Sequence, residues 1–101
     1  MSKLLTTVVN VNRDDYDVYI ARPSKWGNPY SHKENTLAQY TVKTRKEAIQ
    51  KYREWILARP ELLNSLHELE GKKIGCFCKP QSCHGDILVD LINNRKYKSL
   101  F

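Results

Sequence analysis

The three cysteines of the chain all lie within one segment, GCFCKPQSCHGD, which runs from Gly75 to Asp86. His84 directly follows the last cysteine. Cysteine and histidine are preferred zinc ligands, and they also serve as nucleophile and base in covalent catalysis. Free cysteines are equally common as small buried residues in protein cores. The segment therefore has three interpretations: a metal site, a nucleophilic site or core packing.

The predicted secondary structure around this segment favours a ligand site. Residues Lys72–Cys78 have strand character, and Ser82 is a plausible N-cap for a last helix. Ligands of α/β folds bind beyond the carboxyl ends of strands, and the free N–H groups of a helix start attract anions. We therefore expect Cys83 and His84 to contact a ligand, and Gly85 to let that ligand approach closely.

The spacing of the side chains distinguishes between the three interpretations. Cys76-x-Cys78 followed by adjacent Cys83-His84 differs from the C-x2-C spacing of zinc knuckles, so zinc is an alternative and no cofactor is the expectation. The same adjacency makes Cys83 and His84 a poor nucleophile–base pair. We expect Cys76 and Cys78 to be packing residues. His84 and Asp86 are the candidate catalytic residues, with Asp86 orienting the imidazole or acting as a base.

A second segment, RPSKWGNPY, runs from Arg22 to Tyr30 and is rich in loop-forming residues. Arg22 and Lys25 could hold a phosphate, since a guanidinium matches phosphate oxygens with two hydrogen bonds. Trp26 could stack on a ligand or wall a pocket, and Asn28 could hydrogen-bond to the ligand. In the alternative interpretation the loop is structural, with Trp26 filling the core and Asn28 capping a turn.

The remaining pattern predicts a small α/β or α+β domain in which three helices pack on one sheet. The whole chain, residues 1–101, is expected to form this single domain, and its basic tail from about residue 93 is expected to fray. The predicted elements are strands at Leu4–Val11, Tyr16–Ile20 and Lys72–Cys78, and helices that begin at Thr44, Pro60 and Ser82.

Composition limits the environment and the partners of the protein. The hydrophobic fraction of 41% predicts a folded globule, and no apolar run is long enough for a membrane span. The amino-terminal sequence lacks signal-peptide features, and an odd number of clustered cysteines fits reduced thiols, so we expect a cytoplasmic protein. A net charge of +6 favours anionic partners.

Three stretches together resemble one known family. They are VYIARPSKWGNPY, EAIQKYREWILARPELLNSLHEL and GKKIGCFCKPQSCHGDIL, and the resemblance extends from Val18 to about Leu91. The chain is similar to the domain of unknown function 4326 family of bacteria and phages, with Ala21, Tyr30 and Phe77 where that family usually has Gly, Phe and Trp. The resemblance implies no activity. It does imply that the two polar segments belong to one shared design and converge on one pocket.

We therefore expect a small cytoplasmic domain, phage-encoded on the strength of the resemblance, that binds a nucleotide-like or nucleic-acid-derived anion between the two segments. A pair formed by His84 and Asp86 would suit hydrolytic or base-modifying chemistry. One alternative is a non-catalytic module that binds DNA, RNA or a host protein through its basic surface. The other is a structural thiolate–zinc module.

Overall fold

A three-stranded parallel sheet forms the centre of the protein, in a computed structural model that describes residues 5–33 and 39–94. The last strand in the sequence is the middle strand of this sheet, and a second, two-stranded parallel sheet lies beside it. In chain order the elements are β1 (Thr7–Asn10), β2 (Val18–Tyr19), β3 (Tyr30–Ser31), β4 (Tyr40–Thr41), α1 (Arg45–Leu57), α2 (Pro60–Leu63), a 3-10 helix (Leu66–Leu69), β5 (Lys73–Cys76) and α3 (His84–Asn93).

This architecture confirms the predicted fold class, with three helices and a small sheet. The central sheet has the order β1-β5-β2, in which Val8 and Val18 both pair with Ile74. The predicted start of the first strand at Leu4 and the predicted fraying of the tail beyond Asn94 lie outside the described residues.

The two faces of the central strand are covered by different parts of the chain, because successive side chains of a strand point to opposite faces. Ile74 and Cys76 are buried on the face covered by α3. On the opposite face, a Cβ atom at Gly75 would lie 2.6 Å from Val11 Cγ1 and 2.9 Å from Tyr16 Cγ. Glycine at position 75 therefore allows the β1–β2 connection to cross directly over β5.

The predicted second helix is divided into two shorter pieces. The helical spacing of four leucines predicts an apolar stripe on this helix, and all four are buried: Leu62, Leu63, Leu66 and Leu69. However, α2 ends at Leu63, and a 3-10 helix follows from Leu66 to Leu69. A 3-10 helix has three residues per turn, so it places Leu66 and Leu69 on the same face, where both pack into the core.

Local hydrogen bonds fix where the long helices begin. Thr44 caps α1 as predicted, with its hydroxyl accepting the N–H of Glu47 at 3.0 Å. Thr44 followed three residues later by Glu47 is the pattern of a capping box, in which the Glu47 carboxylate would accept the Thr44 N–H. In the structure it accepts the N–H of Lys43 instead, at 3.0 Å. The N-cap of α3 is Cys83 and not Ser82, because the carboxylate of Asp86 accepts the N–H of Cys83 at 3.1 Å.

The contact of α3 with the sheet yields a stability prediction for Gly85→Ala. A Cβ atom at position 85 would lie 2.9 Å from Ile20 Cδ1 and 3.0 Å from both methyl groups of Val8. Alanine favours a helix by about 1 kcal/mol over glycine, but forcing a methyl group into a packed interface costs about 1–3 kcal/mol. Because these two effects oppose each other, we expect a net loss of up to about 2 kcal/mol in the free energy of unfolding, measured by urea denaturation.

The control for this measurement is Lys51→Ala, a helical substitution at an exposed position of α1. We expect it to change the free energy of unfolding by less than about 0.5 kcal/mol. A Gly85→Ala variant as stable as this control would contradict the close packing of α3 on the sheet.

Candidate functional site

A cavity of about 180 Å³ lies between the Arg22–Asn28 loop and the amino-terminal end of α3. Both polar segments identified in the sequence contribute to its lining: the first through Arg22 and Asn28, the second through Cys83 and His84. The first turn of α1 and the β3 region complete the walls of the cavity. Each of the two polar segments contains one cis peptide bond before a proline, at Arg22-Pro23 and at Lys79-Pro80. The structure thus brings four of the eight predicted site residues together around one cavity.

Lys25 and Trp26 lie outside the lining of this cavity, in contrast to the roles predicted for them. The Lys25 ammonium is exposed, 2.8 Å from a carboxylate oxygen of Glu68 and 5.2 Å from the Trp26 ring centroid. The Trp26 side chain is 2% exposed and belongs to the hydrophobic core. Trp26 is therefore a core residue. Its predicted role of stacking on a ligand is not supported.

Asn28 borders the cavity, but its side chain holds the loop in place. Its Nδ2 donates to the Ala48 carbonyl at 3.1 Å, and its Oδ1 accepts the N–H of Tyr30 at 2.9 Å. Its carbonyl accepts a hydrogen bond from Nη1 of Arg22 at 2.8 Å. The arginine is anchored by this bond while its guanidinium remains part of the cavity wall. Asn28 therefore positions Arg22, and its own amide group is already used.

Gly85 does not face the cavity, which corrects the expectation that it admits a ligand. The space next to its Cα is occupied by the side chains of Val8 and Ile20 on the sheet. The absence of a side chain at this position lets α3 lie close to β1 and to the end of β2. Gly85 thus contributes to the site indirectly, by bringing Cys83 and His84 towards the sheet.

His84 and Asp86 have separate partners and do not form a dyad. The imidazole is buried with Nε2 2.8 Å from the Ile20 carbonyl oxygen, so Nε2 carries the proton and Nδ1 is the acceptor. The Asp86 carboxylate instead accepts the Cys83 N–H and forms an ion pair with Lys79. Asp86 is therefore a capping residue of α3, and His84 is a neutral imidazole on the cavity wall.

The three cysteines meet at the floor of the cavity. Sγ of Cys76 lies 3.1 Å from Sγ of Cys83, and both residues are buried. Cys78 is half-buried: it packs against the hydrophobic core, as expected, and it also belongs to the cavity lining. Hydrogen bonds from the thiols of Cys76 and Cys83, helped by the guanidinium of Arg45, hold the pKa of Cys78 far below the usual thiol range.

The same contacts act in the opposite direction on the two buried cysteines. Hydrogen bonding with Cys76 and Cys78, together with burial, raises the pKa of Cys83. The pKa of Cys76 is also raised, chiefly by its hydrogen bond with Cys78. Of the three thiols, that of Cys78 is therefore the most acidic.

Sequence reasoning missed Lys33, Arg45, Phe77 and Cys78 as parts of the site. The position of Arg45 in its helix could have indicated a role outside that helix. It is the first residue of α1, where the positive end of the helix dipole disfavours a cation. A basic residue at this position indicates a partner outside its own helix, and here Nη1 donates to the Ser82 carbonyl at 3.1 Å.

Within the described residues, no group of three or more His, Cys, Asp and Glu side chains is arranged to hold a metal ion. The expectation of no cofactor stays a prediction.

His84 gives the fold a specific dependence on pH. Burial lowers the pKa of His84 below its ordinary value of 6.5, against the opposing effect of the Ile20 carbonyl. Below about pH 6.5 the unfolded chain takes up a proton that the folded protein does not, so the free energy of unfolding falls by up to about 1.4 kcal/mol per pH unit. Above that pH both states are neutral at this residue, and it contributes no slope.

Urea denaturation at about pH 7.5, 6.5 and 5.5 measures this effect, with His84→Gln as the matched variant because its amide can still donate to Ile20. We expect the variant to lose less stability than the wild type between the two lower pH values. Equal losses in both proteins would show that His84 is protonated in the folded state.

No helix within the described residues is long and apolar enough to cross a membrane.

Comparison with known proteins gives a family and one phage relative. Residues 6–94 match the family model described as Domain of unknown function (DUF4326). The chain is 34% identical over 98 residues to an uncharacterized 12.4 kDa protein in the nrdA-td intergenic region of Enterobacteria phage T4, covering 96% of this chain and 85% of that protein. No solved structure matches. The match over nearly the whole length shows that the chain belongs to the DUF4326 family.

Proposed function

We propose that the protein binds a phosphate-bearing, nucleotide-like anion in the cavity between the Arg22–Asn28 loop and α3, in the cytoplasm of the cell in which it is made. The observation that carries this proposal is the charge of the lining. Arg22, Lys33 and Arg45 all border the cavity, and no carboxylate does so among the described residues. Even with Cys78 ionised, these three cationic side chains leave the lining with a net positive charge.

The two arginines approach the cavity from different elements. Arg22 comes from the loop after β2 and is fixed by the Asn28 carbonyl, and Arg45 comes from the start of α1 and is fixed by the Ser82 carbonyl. Each uses one guanidinium nitrogen in these bonds, which leaves further N–H donors for an anion. Guanidinium groups held in place lose little entropy when they bind phosphate oxygens.

The size and the rim of the cavity favour a ligand that is partly exposed. A volume of about 180 Å³ is below the roughly 300–1,000 Å³ of sites that enclose drug-sized molecules. A phosphate and its sugar would fit inside, with a base outside. Phe77 lines the cavity and is 54% exposed, and Tyr30 lines it while stacking on Tyr40. These rings, and not Trp26, are placed to stack on a base.

His84 lines the cavity with an imidazole whose Nε2 is already hydrogen-bonded to the Ile20 carbonyl. A neutral imidazole with a free Nδ1 suits a general base in hydrolytic or base-modifying chemistry, and it equally suits recognition of a ligand hydroxyl or amino group. We therefore expect His84 to contact the ligand, whereas Asp86 only caps α3.

The proposal is tested by calorimetric titration of the reduced protein with inorganic phosphate and with nucleoside 5′-monophosphates. Arg45→Gln removes a charged hydrogen-bond donor worth about 1.5–3 kcal/mol, so we expect about 10-fold to 100-fold weaker binding. Lys51→Gln makes the same change in net charge at an exposed position of α1 that does not border the cavity. We expect wild-type affinity for this control.

Two results would overturn the proposal. Equal weakening by both substitutions would indicate general attraction to a basic surface, as expected for a module that binds DNA, RNA or a host protein through its charge. No binding of any of these ligands to the wild type would remove the nucleotide-like anion as the occupant of the cavity.

A further inference from the structure

An open groove continues from the cavity along the first half of α1. It lies between this part of α1 and the start of α3, and its lining consists of Arg45, Lys46, Ile49, Gln50, Ser82 and Asp86. Three of these residues, Arg45, Ile49 and Ser82, line the cavity as well. The groove and the cavity are therefore contiguous, and Arg45 belongs to the walls of both.

The groove has the charge that a second phosphate would require. Lys46 is exposed and borders the groove but not the cavity, so the single phosphate of the proposed function leaves this cation unused. Asp86 also borders the groove. Its carboxylate, however, forms an ion pair with Lys79 and accepts the N–H of Cys83. The two cations of α1 therefore determine the sign of the charge in the groove.

A row of aromatic rings begins at the rim of the same cavity. Phe77 lines the cavity and is 54% exposed. Its ring centroid lies 6.0 Å from that of Tyr19, which lies 6.3 Å from that of Tyr16. Tyr16 is 45% exposed and packs over Gly75, on the face of the sheet opposite α3. This row extends the aromatic surface beyond the single base that Phe77 could hold.

We infer that the nucleotide-like ligand is one unit of a single-stranded nucleic acid. The inference rests on the proposed function and adds phosphodiester-linked neighbours to the nucleotide in the cavity. One neighbouring phosphate lies in the groove against Arg45 and Lys46, and one neighbouring base stacks on the row that Phe77 begins. A positively charged groove combined with aromatic rings for successive bases is the usual way in which proteins bind single strands.

The site favours a single strand over a duplex. In a duplex the faces of each base are covered by its neighbours, whereas the unstacked bases of a single strand can be splayed out onto aromatic side chains. The cavity of about 180 Å³ is also too small to enclose a base pair with its two backbones. Every base has a face that can stack, so this surface accepts DNA and RNA alike.

Chain length separates the inference from the proposed function. The wild type is titrated in a calorimeter with thymidine 5′-monophosphate and with a strand of six thymidylates, and a strand of six uridylates distinguishes RNA from DNA. We expect the six-unit strand to bind about tenfold or more tightly than the monophosphate, because linked contacts act at a high effective concentration. Tighter binding of either the DNA strand or the RNA strand supports the inference.

Lys46→Gln tests the groove, and Lys51→Gln is its matched control. Both lysines are exposed on α1, but Lys51 borders neither the cavity nor the groove. Loss of one phosphate contact lowers the slope of log affinity against log salt concentration by about 0.7, which is about fivefold over one decade of salt. We therefore expect Lys46→Gln to reduce the preference for the strand over the monophosphate by about fivefold in 0.1 M salt. The control should keep the wild-type preference.

Tyr16→Leu tests the aromatic row. Leucine keeps an apolar side chain over Gly75 but offers no flat face for a base. We expect the affinity for the six-unit strand to fall by about fivefold or more, with an unchanged dependence on salt, because stacking and not charge is lost. Urea denaturation verifies that the variant is folded, and the lysine pair tests the inference without it.

Three outcomes would overturn the inference. They are a six-unit strand that binds no more tightly than the monophosphate, equal effects of Lys46→Gln and Lys51→Gln on the preference for the strand, and a duplex of equal length that competes as well as the single strand. In the first case a wild type that binds the monophosphate retains the proposed function. Failure of the proposed function is seen separately, as the absence of monophosphate binding.

Discussion

The close approach of α3 to the central sheet is the constraint on which the rest of the site depends. With no side chain at Gly85, the first turn of α3 rests directly on Val8 and Ile20. That distance places the thiol of Cys83 against Cys76 on β5 and brings the His84 ring to a backbone carbonyl of the sheet. A helix held even a methyl group further away would open both contacts, because packed interfaces adjust little to added volume. The floor of the cavity is therefore a product of helix–sheet packing.

The cations of the cavity are supplied by parts of the chain that are remote in sequence. Arg22 follows β2 and Arg45 begins α1, and each is tied to a backbone carbonyl on another segment. Asp86, which lies close to the helix start, is neutralised by Lys79 and by the Cys83 N–H. Its charge thus stabilises α3 and leaves the lining positive. Such separation of charges focuses a positive potential in a concave site, beyond what the net charge of the protein would produce.

Local patterns in the sequence were sufficient to predict most of the architecture. The leucine stripe of the second helical region, the Thr44 cap and the strand predicted at Lys72–Cys78 all depend on neighbouring residues. The structure contains each of them, with the strand at Lys73–Cys76. The convergence of the two polar segments was expected only from the family resemblance and not from their spacing. The fold class and the ligand-site corner at the start of α3 thus follow from short-range rules.

The roles of individual residues could not be read in the same way. A tryptophan in a polar loop is compatible with stacking or with burial, and only the path of the loop places Trp26 in the core. Cys76 and Cys78 have the same spacing as two residues on one face of a strand, but β5 ends at Cys76. Both residues line the cavity, yet Cys76 is buried and Cys78 is half-exposed. These distinctions depend on tertiary contacts with Arg45 and Cys83, which no local pattern contains.

The order of the strands has a consequence for how the chain acquires its structure. In the central sheet, β1 and β2 each pair only with β5 among the described strands, and the register joins Thr7 to Lys73. Such pairing closes a loop through most of the chain, which gives a high contact order and slow folding. During synthesis both amino-terminal strands therefore wait without partners until β5 leaves the ribosome. The sheet, the α3 contact and the cavity consequently form together as one late event, and a ribosome-bound fragment that lacks β5 contains none of the three.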